Sequence, residues 1–225
     1  MKLFKTAITA LLTLVVSLPA LASETLNLDK INERGSLRVG MSTFVPWAMR
    51  NKQGDLVGFE IDVAKRLAED SGWKVEFVPT AWDGIIPSLL SKKFDVIIGG
   101  MSITEARAKS MLFTEPYSHS GVQLAANKEL AEGFTQISDF DSRRVKIAAR
   151  RGAFTVQVAR EIFPKAKVLQ FDDDAQAFQE VLNGNAHAVI ASSPKPEHET
   201  IKNADTLFIP FEERLSKEFE AVGFF

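Results

Sequence analysis

Twice along this chain a short apolar run leads into a segment of helical spacing and then into another short apolar run. The first series occupies residues 37–41, 59–68, 74–78, 85–90 and 94–98. Within 59–68, Ile61, Ala64, Leu67 and Ala68 recur as one helix face, and Gly72 is a stop behind them. Residues 74–78 alternate and close at Pro79. Asp83 is placed to cap the helix that carries Ile85, Ile86, Leu89 and Leu90. A β-α-β-α-β order predicts an α/β fold with a parallel-rich, twisted sheet and helices on both faces. Ligands of such sheets gather at the carboxyl ends of the strands. Three loops lie there, after Met41, Val78 and Ile98.

The pattern restarts beyond the polar stretch 127–132. Strands are expected at 144–149, 168–171 and 186–191, and helices at 154–162 and 175–182. The restart predicts two lobes, 36–126 and 127–215, with a cleft between them; one continuous sheet is the alternative. Residues 216–225 are expected to begin a return to the first lobe. Val222, Gly223, Phe224 and Phe225 read as the opening of an apolar strand, so the return is expected to be truncated.

Residues 1–22 read as an export signal. Lys2 and Lys5 precede the apolar run 7–16, and Ala20-Leu21-Ala22 follows Pro19 as a small-x-small cleavage site. The run is too short to span a membrane. The chain has no cysteine, which leaves stability to the core. Beyond residue 22 it keeps 25 of its 27 basic side chains against 29 acidic ones, a formal charge of −4. That balance gives no reason to expect nucleic acid as a partner. The three histidines, His119, His187 and His198, form no metal-ligating spacing with acids, and no cofactor or catalytic group is expected.

The densest chemistry lies in residues 94–117. A buried strand runs into Gly99 and Gly100, which let the backbone turn tightly. Ser102 and Thr104 are candidate helix caps, and the first-turn amides beyond them point above the strand. Arg107 adds a planar fork able to grip a carboxylate with two hydrogen bonds.

With these motifs the chain resembles the periplasmic polar-amino-acid-binding proteins of ABC transporters, solute-binding protein family 3. The matching text is Gly58-Phe59-Glu60-Ile61-Asp62, Trp82-Asp83-Gly84-Ile85-Ile86-Pro87-Ser88-Leu89, residues 93–107, and Phe113-Thr114-Glu115-Pro116-Tyr117. Arg151-Gly152 and Leu182-Asn183-Gly184 carry a weaker match in the second half. The resemblance implies the two-lobed periplasmic-binding-protein fold, closing like a hinged trap. It implies a monomeric periplasmic protein that delivers an amino acid or related small carboxylate to an inner-membrane ABC permease. It also implies the site: Phe44 and Trp82 as aromatic walls, Gly100 and Ser102 at the ligand's polar end, Arg107 on its carboxylate. Asp62, Asp95 and Glu115 are read as structural. Two positions depart from the family. Phe154 stands where a small hydroxyl residue is usual, and Ser192 stands where an aspartate usually pairs with the ligand ammonium. No acid follows Ser192 until Glu197, so the pocket is expected to have lost a negative charge and gained apolar surface. The alternatives are a sensing protein for a separate receptor and, further off, a cyclic-acid dehydratase on the same fold.

Overall fold

The structure is a computed structural model and describes residues 28–225; the expected signal, residues 1–22, lies outside them. Helix α1 (Leu28–Arg34) leads into strand β1 (Ser36–Met41). A two-stranded ribbon follows, β2 (Met49–Arg50) with β3 (Leu56–Val57). Helix α2 (Phe59–Asp70) buries Ile61, Ala64 and Ala68, as their spacing predicts. Leu67 instead faces solvent, and Glu60 is buried. The Tyr117 hydroxyl donates to Glu60 at 2.5 Å, which satisfies an acid that burial would otherwise disfavour.

Strand β4 (Lys74–Pro79) pairs in parallel with β1 and forms the sheet edge, where a proline breaks no ladder. A 3₁₀ turn, Trp82–Gly84, precedes α3 (Ile85–Leu90), and Asp83 makes no side-chain cap there. Strand β5 is shorter than expected, Val96–Ile97, and runs parallel to β1. Asp95 beside it binds Arg34 and, at 2.7 Å, Arg38, a structural role as read. Helix α4 (Glu105–Ala108) is capped by Thr104, whose hydroxyl accepts from the Arg107 amide at 3.2 Å; Ser102 is no cap. Strand β6 (Leu112–Phe113) ends this part.

Strand β7 (Ser118–Asn127) opens a second sheet. The order continues as α5 (Ile137–Phe140), β8 (Lys146–Arg150), α6 (Phe154–Ile162), β9 (Lys167–Phe171), α7 (Asp174–Leu182), β10 (Ala188–Ser192), α8 (Lys195–Lys202) and β11 (Leu207–Phe208). Strand β12 (Ser216–Glu220) then runs back antiparallel to β7, and β13 (Gly223–Phe224) enters the first sheet.

The sheet orders are β4-β1-β5-β13-β6 and β11-β7-β10-β8-β9, with β12 on β7. The expected parallel-rich sheets are in fact mixed. β13 is antiparallel to both β5 and β6, and β7 is antiparallel to β10, β11 and β12. Strands that return along a neighbour were invisible to a reading that counted only strand–helix–strand units.

Each sheet is buried on both faces, which is why its strands read as continuous apolar runs. In the second, Leu124, Ile147 and Ile190 pack toward Phe140 and Phe163, while Ala125, Ala148 and Val189 pack toward Phe178 and Val181. In the first, Val39, Val96 and Ile98 meet Ala64, while Ile97 meets Ile85, Leu89 and Phe94. Among the described residues no helix is long and apolar enough to cross a membrane.

Candidate functional site

The loops after β1, β4 and β5 face the ends of β8 and β10 across a cavity of about 460 Å³, part of it open to solvent. Phe44, Trp82, Gly100, Ser102, Phe154 and Ser192 all line it, so six of the seven residues selected from sequence meet in one place. Gly100 has φ +68°, and a Cβ there would come within 2.8 Å of the Phe44 ring. Glycine thus lets the β5 loop turn beneath the aromatic wall. Trp47 packs edge-on against Phe59, with ring centroids 5.5 Å apart, and lines a smaller adjoining cavity of about 250 Å³ with Glu60, Ser118, Ser120 and Glu220.

Arg107 sits behind the main cavity rather than on its wall. It is buried, its Nη1 donates to the Ser102 carbonyl at 2.7 Å, and its Nη2 donates to the Gly152 carbonyl at 3.2 Å. The second bond joins the two sheet systems. Burial pushes the guanidinium down to about 10, against the pull of the nearby Glu218 charge. Gly152, with φ +72°, brings its backbone close to the 3₁₀ turn; a Cβ there would lie 3.3 Å from the Asp83 Cα. Phe154 opens α6 as an apolar ring on the cavity wall.

Four charged residues of the lining went unselected in sequence: Arg150, Asp174, Lys195 and Glu218. Glu218 matters most for Ser192. It is almost wholly buried on β12, accepts from the Ser102 hydroxyl at 3.0 Å and from Ser120 at 3.3 Å, and lines the cavity together with Ser192. The expected loss of a negative charge at Ser192 thus stands beside a carboxylate from another strand, Glu218, which lines the same cavity. Glu197, the acid next in sequence, is occupied by the Ser193 hydroxyl at 2.7 Å. Burial raises the Glu218 carboxyl above its usual range, the Ser192 and Ser102 hydroxyls oppose this, and Glu220 adds to it. Burial likewise pushes Glu60 up to about 7, against the Tyr117 hydroxyl and the Gly100 backbone.

One signal for Glu218 was present in the chain. In 216–220 the alternating acids Glu218 and Glu220 are buried while Phe219 between them is half exposed. A strand that turns its acids inward is unusual, but it becomes meaningful only once the buried face is known.

Two α/β sheet systems with a charged, aromatic-walled cavity at facing strand ends make the chain a protein built to enclose a small polar solute. It belongs to the bacterial extracellular solute-binding proteins, family 3, whose sequence model matches residues 37–193. The L-cystine-binding protein TcyJ of Escherichia coli K12 is 33% identical over 195 residues, which cover 86% of this chain and 72% of that protein. The cyclohexadienyl dehydratase of Pseudomonas aeruginosa is 30% identical over 185 residues, covering 82% and 69%. The crystal structure of the ancestral amino-acid-binding protein AncCDT-1, a precursor of cyclohexadienyl dehydratase, superposes with a TM-score of 0.78 at 38% identity, covering 88% of this chain and 84% of that one. The chain is accordingly a solute-binding protein of this family.

Proposed function

We propose that the chain is exported to the periplasm through residues 1–22 and delivers an amino acid or a related small carboxylate to its permease. In this reading it works as two lobes, 36–126 and 127–215, hinged on the strands β7 and β12 that run between the sheets. The C-terminal strand β13 belongs to the first lobe. Phe44 and Trp82 hold the solute's body, Gly100 and Ser102 meet its polar end, Phe154 covers it from the second lobe, and Glu218, through Ser192, receives its ammonium. Names of relatives support the solute class: L-cystine for TcyJ and amino acids for the ancestral protein.

The observation that carries the proposal is Arg107. A buried guanidinium whose hydrogen bonds go only to carbonyls is open to a better acceptor, and a carboxylate entering the join would displace the weaker bond to Gly152. Closure around it excludes water and strengthens every charged contact.

The test is a thermal-shift screen of residues 23–225 against amino acids, opines and small dicarboxylates, because a ligand of the native state must raise apparent stability. Calorimetry on the best ligand should then find Arg107→Ala weaker by roughly tenfold or more, with Arg107→Lys recovering only part, since lysine lacks the two-pronged fork. Unchanged affinity in a folded Arg107→Ala protein removes the assignment.

A further inference from the structure

The cavity holds a second arginine that this reading leaves unused. Arg150 ends β8 and is only 5% exposed. Its Nη2 donates to the Ser42 hydroxyl at 2.5 Å, across the join between the sheet systems. Its Nη1 stands 3.8 Å from Asp174, too far for a hydrogen bond. Its Nε is sealed from solvent and has no partner. A guanidinium carries five N–H donors, and a buried donor without an acceptor costs free energy that a ligand oxygen can recover.

The position of the group decides what kind of oxygen. The guanidinium carbon of Arg150 lies 5.0 Å from the centroid of the Trp82 ring, and that of Arg107 lies 5.9 Å from the same ring. Two cations thus flank one indole on the cavity wall. The ring that would otherwise attract a cationic side chain of the solute is already covered by the protein's own charge. Asp174, Asp173 and Asp83 all face Arg150, Asp174 as a long ion pair, but none of them fills its hydrogen-bond donors. Asp174 is also drawn to Lys195, Asp173 caps α7 through the Gln176 amide, and Asp83 lies on the opposing turn, 4.0 Å from Arg151. Lys195 itself is paired with Glu199 at 2.7 Å.

We infer that the solute carries a second anionic group and that Arg150 receives it, so that the preferred ligand is a small dicarboxylate or an amino acid with an acidic side chain, and not a cationic amino acid. The inference rests on the binding role proposed above and sharpens it. Its first arm needs no variant: calorimetry on the mature protein with L-glutamate against L-glutamine, L-aspartate against L-asparagine, and L-lysine and L-arginine as cationic controls. An acid should bind roughly tenfold or more tightly than its amide, the size of a charge-assisted pair lost. In Arg150→Gln the acid and amide should bind about equally, and Arg150→Lys should keep part of the preference. An amide that binds as well as its acid, a cationic amino acid that binds best, or a preference that survives Arg150→Gln overturns the inference while leaving the binding role intact. A folded protein that binds none of these ligands overturns the inference, whereas only a folded protein with no ligand in the whole thermal-shift screen overturns the binding role.

Discussion

Ser192 and Glu218 show how a charge can move between residues without leaving the site. The serine ends β10, and the carboxylate arrives from β12 to line the same cavity, held by the hydroxyls of Ser102 and Ser120. An acid placed at position 192 would not restore a missing charge but crowd a second one against Glu218 and Glu220. Ser192→Asp is therefore expected to lower stability by about 1–3 kcal/mol at neutral pH, with the loss shrinking near pH 5 as the crowded carboxyls take up a proton. Urea denaturation at the two pH values checks this. A variant as stable as the parent at neutral pH would mean that Glu218 turns away from position 192. Arg107 and Arg150 follow the same logic with opposite sign: each is a buried cation that hydrogen-bonds only neutral oxygens.

Among the elements, β10 is the one on which the second half depends. It lies between β7 and β8, sends Ile190 to one face and Val189 to the other, and delivers Ser192 to the cavity. Ile190 is fully buried among side chains from α6 and β8. Ile190→Ala is expected to cost about 2–5 kcal/mol, the range for such truncations in a closed core. The midpoint of a denaturant titration reports it, and a cost below about 1 kcal/mol would mean that the sheet can collapse around the gap. β7 and β12 have a different part. Their antiparallel pairing, Ser118 opposite Glu220 through Val122 opposite Ser216, makes them the paired passage between the two sheet systems. The buried acids of β12 sit on that passage and take hydroxyl partners from β7, at 2.7 Å from Ser118 and 2.6 Å from Ser120 to Glu220.

For the molecule as a whole, these inward acids set a pH dependence. Burial raises Glu60 from 4.5 to about 7, so the folded state holds a proton that the unfolded chain gives up. The sign follows from linkage: the contribution is complete below about 4.5, declines as pH rises, and is lost as pH passes about 7. Its size is at most about 3 kcal/mol over that window. Asp174 and Glu218 are raised as well, again by burial first, and add in the same direction. Glu60→Gln should flatten part of this slope. Denaturation midpoints from pH 4.5 to 8 in both proteins test it, and parallel slopes would show that Glu60 does not hold the proton.

The sequence by itself determined helices α2, α3, α6 and α7 and strands β1, β4, β5, β8, β9 and β10, because burial on both faces writes continuous apolar runs and one-faced helices write a 3.6-residue spacing, while the buried strand β7 and helices α1, α5 and α8 went unread. It also determined the loops that carry Phe44, Trp82, Gly100 and Ser102, since strand order dictates which loops share a sheet edge. Signals spread over tens of residues remain legible when one residue misleads, as Leu67 and Asp83 did. Tertiary structure alone decided the charges. Arg107 turned from the wall to the Ser102 and Gly152 carbonyls, Arg150 came to lie on Trp82, and Glu218 joined Ser192 on the cavity wall from a strand 26 residues further on. It also decided the mixed sheets, through the two-residue strand β13 between β5 and β6. The physical reason is common to these cases. Partners of a buried charge, and pairings of a strand two residues long, are set by what the rest of the chain places beside them, and that has no period in sequence.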